Sequence, residues 1–294
     1  MALKHLADDD VLGSKAAHFF KSGNIMRTKE NDELYKLRSL LPAGGNFGTR
    51  LEYDIWYNFD EPEIHGYTYT DAMSKFIYIR VASTKKAHHS MMVAATEKIT
   101  EEGEKIFEEL KDNSCDKYRL RKKKLNYPFV IFLPGTNILD KVVDKEKVKR
   151  AVSQGAHLKC HPLTAPGMVA NLKYQFGADK IIDKKTSGHQ LLEQAAIVGC
   201  CKNSEMGLIA LAKGKTVYLF DKKELEKMQT YDPLYNAVWN GTDYPDPNRL
   251  KSLLSAKYSG LVPYFIDNPT ERIEHFFTFW KGTKHNAIRN IRKQ

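Results

Sequence analysis

Four short segments of this chain carry cationic, hydroxyl and carboxylate side chains where predicted strands end or helices begin. Lys159-Cys160-His161-Pro162 places a cation and an imidazole where a predicted strand ends, and Pro162 fixes the turn. Lysine and histidine at such a corner suit a diphosphate. Leu133-Pro134-Gly135-Thr136-Asn137 follows another predicted strand. There Gly135 lets a backbone approach a ligand closely, and Thr136 and Asn137 offer hydrogen bonds. In Thr186-Ser187-Gly188-His189, Ser187 is placed to cap a helix and leave amides facing an anion. Asn203-Ser204-Glu205-Met206-Gly207 opens a further helix with small polar residues. The two carboxylate oxygens of Glu205 match the two hydroxyls of a ribose. Each segment also has a plain structural reading, as a βα turn or a helix cap. Their order between Tyr127 and Asp221 points to a nucleotide-sugar site, and so to a glycosyltransferase.

Other chemistries find less in the chain. No GxxxxGK[ST] phosphate loop is present, and Gly44-Gly45-Asn46-Phe47-Gly48 lacks the dinucleotide spacing. Asp8-Asp9-Asp10 contains DxD but has no strand before it, and reads as a solvated helix start rather than a metal site. Cys115, Cys160, Cys200 and Cys201 form no CxxC pair, which argues for buried reduced thiols and against zinc. No metal ligand set is assigned.

The elements that must hold these segments follow from hydrophobic patterning. Phe129-Val130-Ile131-Phe132-Leu133 is a continuous apolar run, as in a parallel strand buried on both faces. Further strands are expected at 157–160, 180–182, 196–200 and 216–220. Helices are expected at 145–154, 168–176, 188–197 and 204–213. This alternation argues for βαβ units in a doubly wound sheet. Earlier in the chain, 1–33 reads as helical and polar, 34–41 is an apolar-basic stretch ending at Pro42, 51–59 and 76–81 read as strands, and 86–111 reads as one long helix. The segment 117–124 is dense in Lys and Arg and marks the boundary between an acceptor-binding domain, 1–125, and a donor domain, 126–265. Asn268-Pro269-Thr270-Glu271 starts a capped helix within the last part, 266–294, which ends in a basic tail.

His161-Pro162 and Ser204-Glu205, followed by Ala210-Leu211-Ala212-Lys213-Gly214-Lys215-Thr216-Val217, resemble the donor half of GT-B glycosyltransferases. The nearest flavour is the capsule-polysaccharide, sialyl- and Kdo-transferase-like group. The resemblance departs at Cys200-Cys201-Lys202-Asn203, where small hydroxyl residues are more usual. It implies an α/β fold of two Rossmann-like domains, with a C-terminal helix crossing back to the first. It also implies a UDP- or CMP-linked sugar as co-substrate, with no other cofactor. Donor contacts would then come from Gly135, Thr136, Asn137, Lys159, His161, Ser187, Gly188, Asn203, Ser204 and Glu205.

The first domain would hold the acceptor and a base to take its hydroxyl proton. Asp71, Asp54, His65 and Asp60, set among Tyr53, Trp56, Tyr57, Tyr67 and Tyr69, are the candidates. A net charge of +10 implies a polyanionic partner. Arg119, Arg121, Lys122, Lys123 and Lys124 are the residues placed to meet it. The favoured acceptor is a hydroxymethylated pyrimidine in double-stranded DNA, as for some bacteriophage enzymes. A capsular or lipid-linked glycan is the alternative, and a non-catalytic nucleic-acid-binding protein is the rival from another class. No apolar run approaches the roughly 18–20 residues needed to span a bilayer, and the N-terminus lacks a signal segment. The expected location is cytoplasmic, in the host if phage-encoded.

Overall fold

The computed structural model describes residues 68–72, 76–81, 90–111, 126–162, 164–184, 186–222, 232–263, 265–276 and 278–279. The expected features at 1–33, 34–41, 44–48, 51–59 and 117–124, and the basic tail from Lys281, lie outside these residues.

The centre of the fold is β3 (Phe129–Phe132). Its side chains alternate between two hydrophobic cores, as the apolar run predicts. Val130 and Phe132 enter one core and Ile131 enters the other, followed there by Leu133. On either side lie β4 (His157–Lys159), β5 (Ile181–Ile182), β6 (Ile197–Cys200) and β7 (Thr216–Leu219). The order across the sheet is β5-β4-β3-β6-β7. Every pairing is parallel.

Helices cover both faces. Three connect β3 to β4 and β4 to β5: α2 (Thr136–Val142), α3 (Lys145–Ser153) and α4 (Pro166–Phe176). Leu139, Val148 and Leu172 from them join Ile131 and Leu158 in the same core. Against the other face lie α5 (Gly188–Gln194), α6 (Met206–Ala212), α7 (Asp232–Trp239) and α8 (Pro247–Ser255). Leu191, Leu208, Leu234 and Leu253 from these pack with Val130 and Val198. The sequence leads to one helix between β3 and β4, but the chain forms two. Val143 is extended and bridges Asp221, and Asp144 then starts α3 by accepting a hydrogen bond from the Lys147 amide at 3.0 Å.

The long helix expected over 86–111 is interrupted. Residues 90–94 are helical and α1 is Glu101–Glu109. Thr96 donates its hydroxyl to the Val93 carbonyl at 2.8 Å and closes the first piece. The Thr100 hydroxyl accepts from the Gly103 amide at 3.1 Å and opens the second. Threonines offer the backbone a local alternative to continuing a helix, and apolar periodicity does not register it.

A second sheet is antiparallel, in the order β1-β2-β8. It joins β1 (Thr68–Ala72) and β2 (Phe76–Val81) to β8 (Leu261–Pro263). Tyr78 of β2 lies opposite Leu261 and is fully buried. The C-terminal helix at 269–276 starts as expected, with the Asn268 side chain accepting from the Glu271 amide. Its Arg272 is only 1% exposed. The guanidinium donates to Glu102 Oε1 at 3.1 Å, to the Leu254 carbonyl at 2.6 Å and to the Leu261 carbonyl at 3.4 Å. One side chain therefore ties α1, α8, β8 and the C-terminal helix together. Arg272→Ala leaves two carbonyls without that donor and half-buried Glu102 without its partner. We expect a loss of about 3 kcal/mol in urea unfolding, with Arg272→Lys restoring only part because an ammonium lacks the planar fork.

Candidate functional site

Open α/β sheets bind ligands beyond the carboxyl ends of their strands, where the strand order reverses. Here that point lies between β3 and β6. The loops after β3 and β6 therefore leave toward opposite faces, with the loops after β4 and β5 beside them. The convergence is close. A side-chain carbon added at Gly188 would sit 3.1 Å from Met206 Sδ and 3.4 Å from the Phe132 ring. The starts of α5 and α6 thus meet over the end of β3. Thr136 Oγ1 accepts from the Ala165 amide at 2.7 Å, which joins the loop after β3 to the loop after β4.

Polar side chains are buried at these strand ends. Lys159, Thr164, Thr186, Ser187 and His189 are each 3% exposed or less. Lys159 Nζ donates to the Cys160 carbonyl at 2.9 Å and the Lys184 carbonyl at 2.8 Å. Lys184 in turn donates to the Thr164 carbonyl at 3.1 Å. Two lysines thereby lace the loop after β4 to the loop after β5. Ser187 Oγ caps α5 through the Gln190 amide at 3.1 Å. Among the described residues, Thr164 Oγ1, Thr186 Oγ1 and Asn203 Oδ1 are buried with no hydrogen-bond partner. Burying a polar atom without a partner is costly, so each such atom in a native fold calls for an explanation.

The loop after β6 is held more firmly than its sequence implies. The Lys202 amide donates to Asp221 Oδ1 at 3.2 Å, and Lys202 Nζ to Asn236 Oδ1 at 2.7 Å. The Ser204 amide donates to the Cys201 carbonyl at 3.0 Å, and Ser204 Oγ accepts from the Met206 amide at 3.2 Å. The Tyr235 hydroxyl donates to the Ser204 carbonyl at 2.6 Å. Helix α6 begins at Met206 rather than Ser204, with half-buried Glu205 at its N-cap position.

The sequence candidates fall into three groups. Gly135, Thr136, Lys159, His161, Ser187, Gly188, Asn203, Ser204 and Glu205 all lie in the four loops or at their edges, His161 exposed and Lys159 buried; Asn137 is the second residue of α2. Asp71 lies on β1, paired opposite Tyr78 in the antiparallel sheet. Asp54, Asp60, His65, Arg119, Arg121, Lys122, Lys123 and Lys124 lie outside the described residues. Thr164, Lys184, Lys202 and Tyr235 join the site from the structure. The first three stand beside the motifs and carry groups of the right chemistry. Tyr235 is 31 residues from Ser204, and no local pattern announces that contact.

Cys160, Cys200 and Cys201 are free and buried. Burial raises all three thiols, Cys200 to about 12, which favours their protonated form. A separate groove between α2, α3 and α4 is lined by apolar residues such as Leu139, Val148 and Leu172, with Asp140, Lys145, Asn171 and Gln175 also on its walls.

No family model matches the sequence, and no curated protein matches it. Among solved structures, the chain is similar to KpsC, beta Kdo 2,7 transferase, of Thermosulfurimonas dismutans. The likeness has a TM-score of 0.43 and 15% identity, and covers 86% of this chain and 90% of that one. It is also similar to KpsC, beta Kdo 2,4 transferase, of the same organism, with a TM-score of 0.34 and 12% identity, over 64% of this chain and 71% of that one.

Burial pushes the Lys159 ammonium down from its ordinary 10.5 to about 8. Between those values the unfolded chain binds a proton that the folded chain has released, so stability rises with pH across this window. Below it, the charged lysine is carried at a cost. Urea midpoints measured from pH 7 to 10.5 should climb more steeply for the wild type than for Lys159→Met. Parallel curves would remove Lys159 as the source.

Proposed function

We propose that the chain is a glycosyltransferase that takes a nucleotide-sugar donor at the carboxyl ends of β3, β4, β5 and β6. The observation that carries this reading is the set of buried oxygens without protein partners, Thr164 Oγ1, Thr186 Oγ1 and Asn203 Oδ1, beside the lysines at the same strand ends. Hydroxyl and amide oxygens beside cations match a ligand that is both phosphorylated and rich in hydroxyls. In this reading His161, exposed on the loop after β4, faces the phosphates. Glu205 accepts from the ribose hydroxyls. Gly135 lets the ligand approach the end of β3. His161-Pro162 and Ser204-Glu205, quoted for the GT-B resemblance, lie in loops of this corner.

The transfer is a substitution at the anomeric carbon. In the inverting form, the acceptor oxygen forms the new bond, the bond from that carbon to the nucleotide phosphate breaks, and a base takes the acceptor proton. The leaving nucleotide carries negative charge, which cationic groups at the site offset. Asp71, Asp54 and His65 remain our proposals for the base. The proposed acceptor is a polyanion, on the strength of the net charge of +10. A hydroxymethylated pyrimidine in DNA and an acidic glycan both belong to that class, and sugar transfer from the matching donor to each separates them.

Thermal unfolding with UDP, CMP, GDP and their sugars tests the donor site. A ligand at 100 times its dissociation constant stabilises by about 2.7 kcal/mol. One nucleotide should raise the midpoint of the wild type and have little effect on Glu205→Ala. Binding of DNA with no response to any of these nucleotides would favour a nucleic-acid-binding protein instead.

A further inference from the structure

Tyr235 is fully buried on α7, with its ring stacked on Trp239 at 5.1 Å between centroids. Its hydroxyl reaches the Ser204 carbonyl at 2.6 Å and lies 3.5 Å from Cys200 Sγ. It touches the end of β6 and the following loop at once. The approach depends on Gly207. A side-chain carbon there would sit 2.4 Å from the Tyr235 hydroxyl and 2.5 Å from Cys200 Sγ. The neighbouring Asn236 accepts from Lys202 Nζ at 2.7 Å. Two successive residues of α7 therefore grip the loop on either side of Asn203.

Fixing the Ser204 carbonyl sets the orientation of the peptide that leads into Glu205. It also limits where the Asn203 side chain, whose Oδ1 is buried, points. We infer that Tyr235 is a positioning residue that holds Asn203 and Glu205 in their ligand-ready arrangement. This inference rests on the nucleotide-sugar reading of the site.

The test compares wild type, Tyr235→Phe and Trp239→Phe, the last disturbing the packing of α7 while keeping the hydroxyl. Calorimetric titration with CMP and with UDP reads the site, and amide hydrogen exchange at residues 203–206 reads the loop. We expect Tyr235→Phe to weaken nucleotide binding about tenfold, equivalent to about 1.4 kcal/mol, and to speed exchange in the loop. Trp239→Phe should lower global stability and leave affinity near wild type. Wild-type affinity and exchange in Tyr235→Phe would overturn the inference and leave the site reading intact. Equal losses of affinity in both variants would overturn it in favour of general packing. A wild type that binds neither nucleotide would overturn the site reading, and the positioning role with it.

Discussion

A strand with apolar side chains on both faces needs cover on both, and β3 imposes that requirement on everything around it. Val130 and Phe132 on one side and Ile131 on the other must each meet a helical layer. The chain satisfies this by winding first toward β5 and then returning past β3 to build β6 and β7. The return creates the point where neighbouring loops diverge. The corner that gathers His161, Asn203 and Glu205 follows from burying β3 twice. Residues in these loops can then vary without touching the apolar demand that keeps the sheet in order.

The same corner holds groups that a fold selected for stability alone would replace. Lys159 buries a charged side chain at the end of a strand. It is tolerated because two carbonyls receive its ammonium. Thr164 and Thr186 bury hydroxyls where valine would fill similar space at lower cost. Departures of this kind collect at sites that do chemistry or binding. Elsewhere among the described residues, the large buried charge is Arg272, whose donors meet a carboxylate and two carbonyls.

The parallel sheet was legible in the sequence because its signal is local. The apolar run of β3, the alternating helices and the Asn268 cap each depend on residues within one or two turns of each other. The short motifs between them were legible for the same reason, and they fall at neighbouring strand ends. Contacts that cross the chain left no local trace. Nothing near Leu261 indicates that it will lie opposite Tyr78, and nothing in α7 marks Tyr235 as the anchor of Ser204. The split at Thr96 and Thr100 was missed for another reason. Apolar periodicity runs through both pieces, and the hydroxyl bonds that end one and start the other do not alter it.

The position of β8 has a consequence for the order in which the chain becomes whole. The five strands of the parallel sheet are complete once Leu219 has been made. One edge of β2, formed much earlier, stays unpaired until Leu261–Pro263 follow. The Arg272–Glu102 contact spans 170 residues and closes later still. A chain emerging from the ribosome therefore carries an open strand edge until β8 follows, and such an edge templates pairing with other chains. β8 acts as the seal on a sheet begun about 180 residues earlier, and its arrival takes that edge out of reach of other chains.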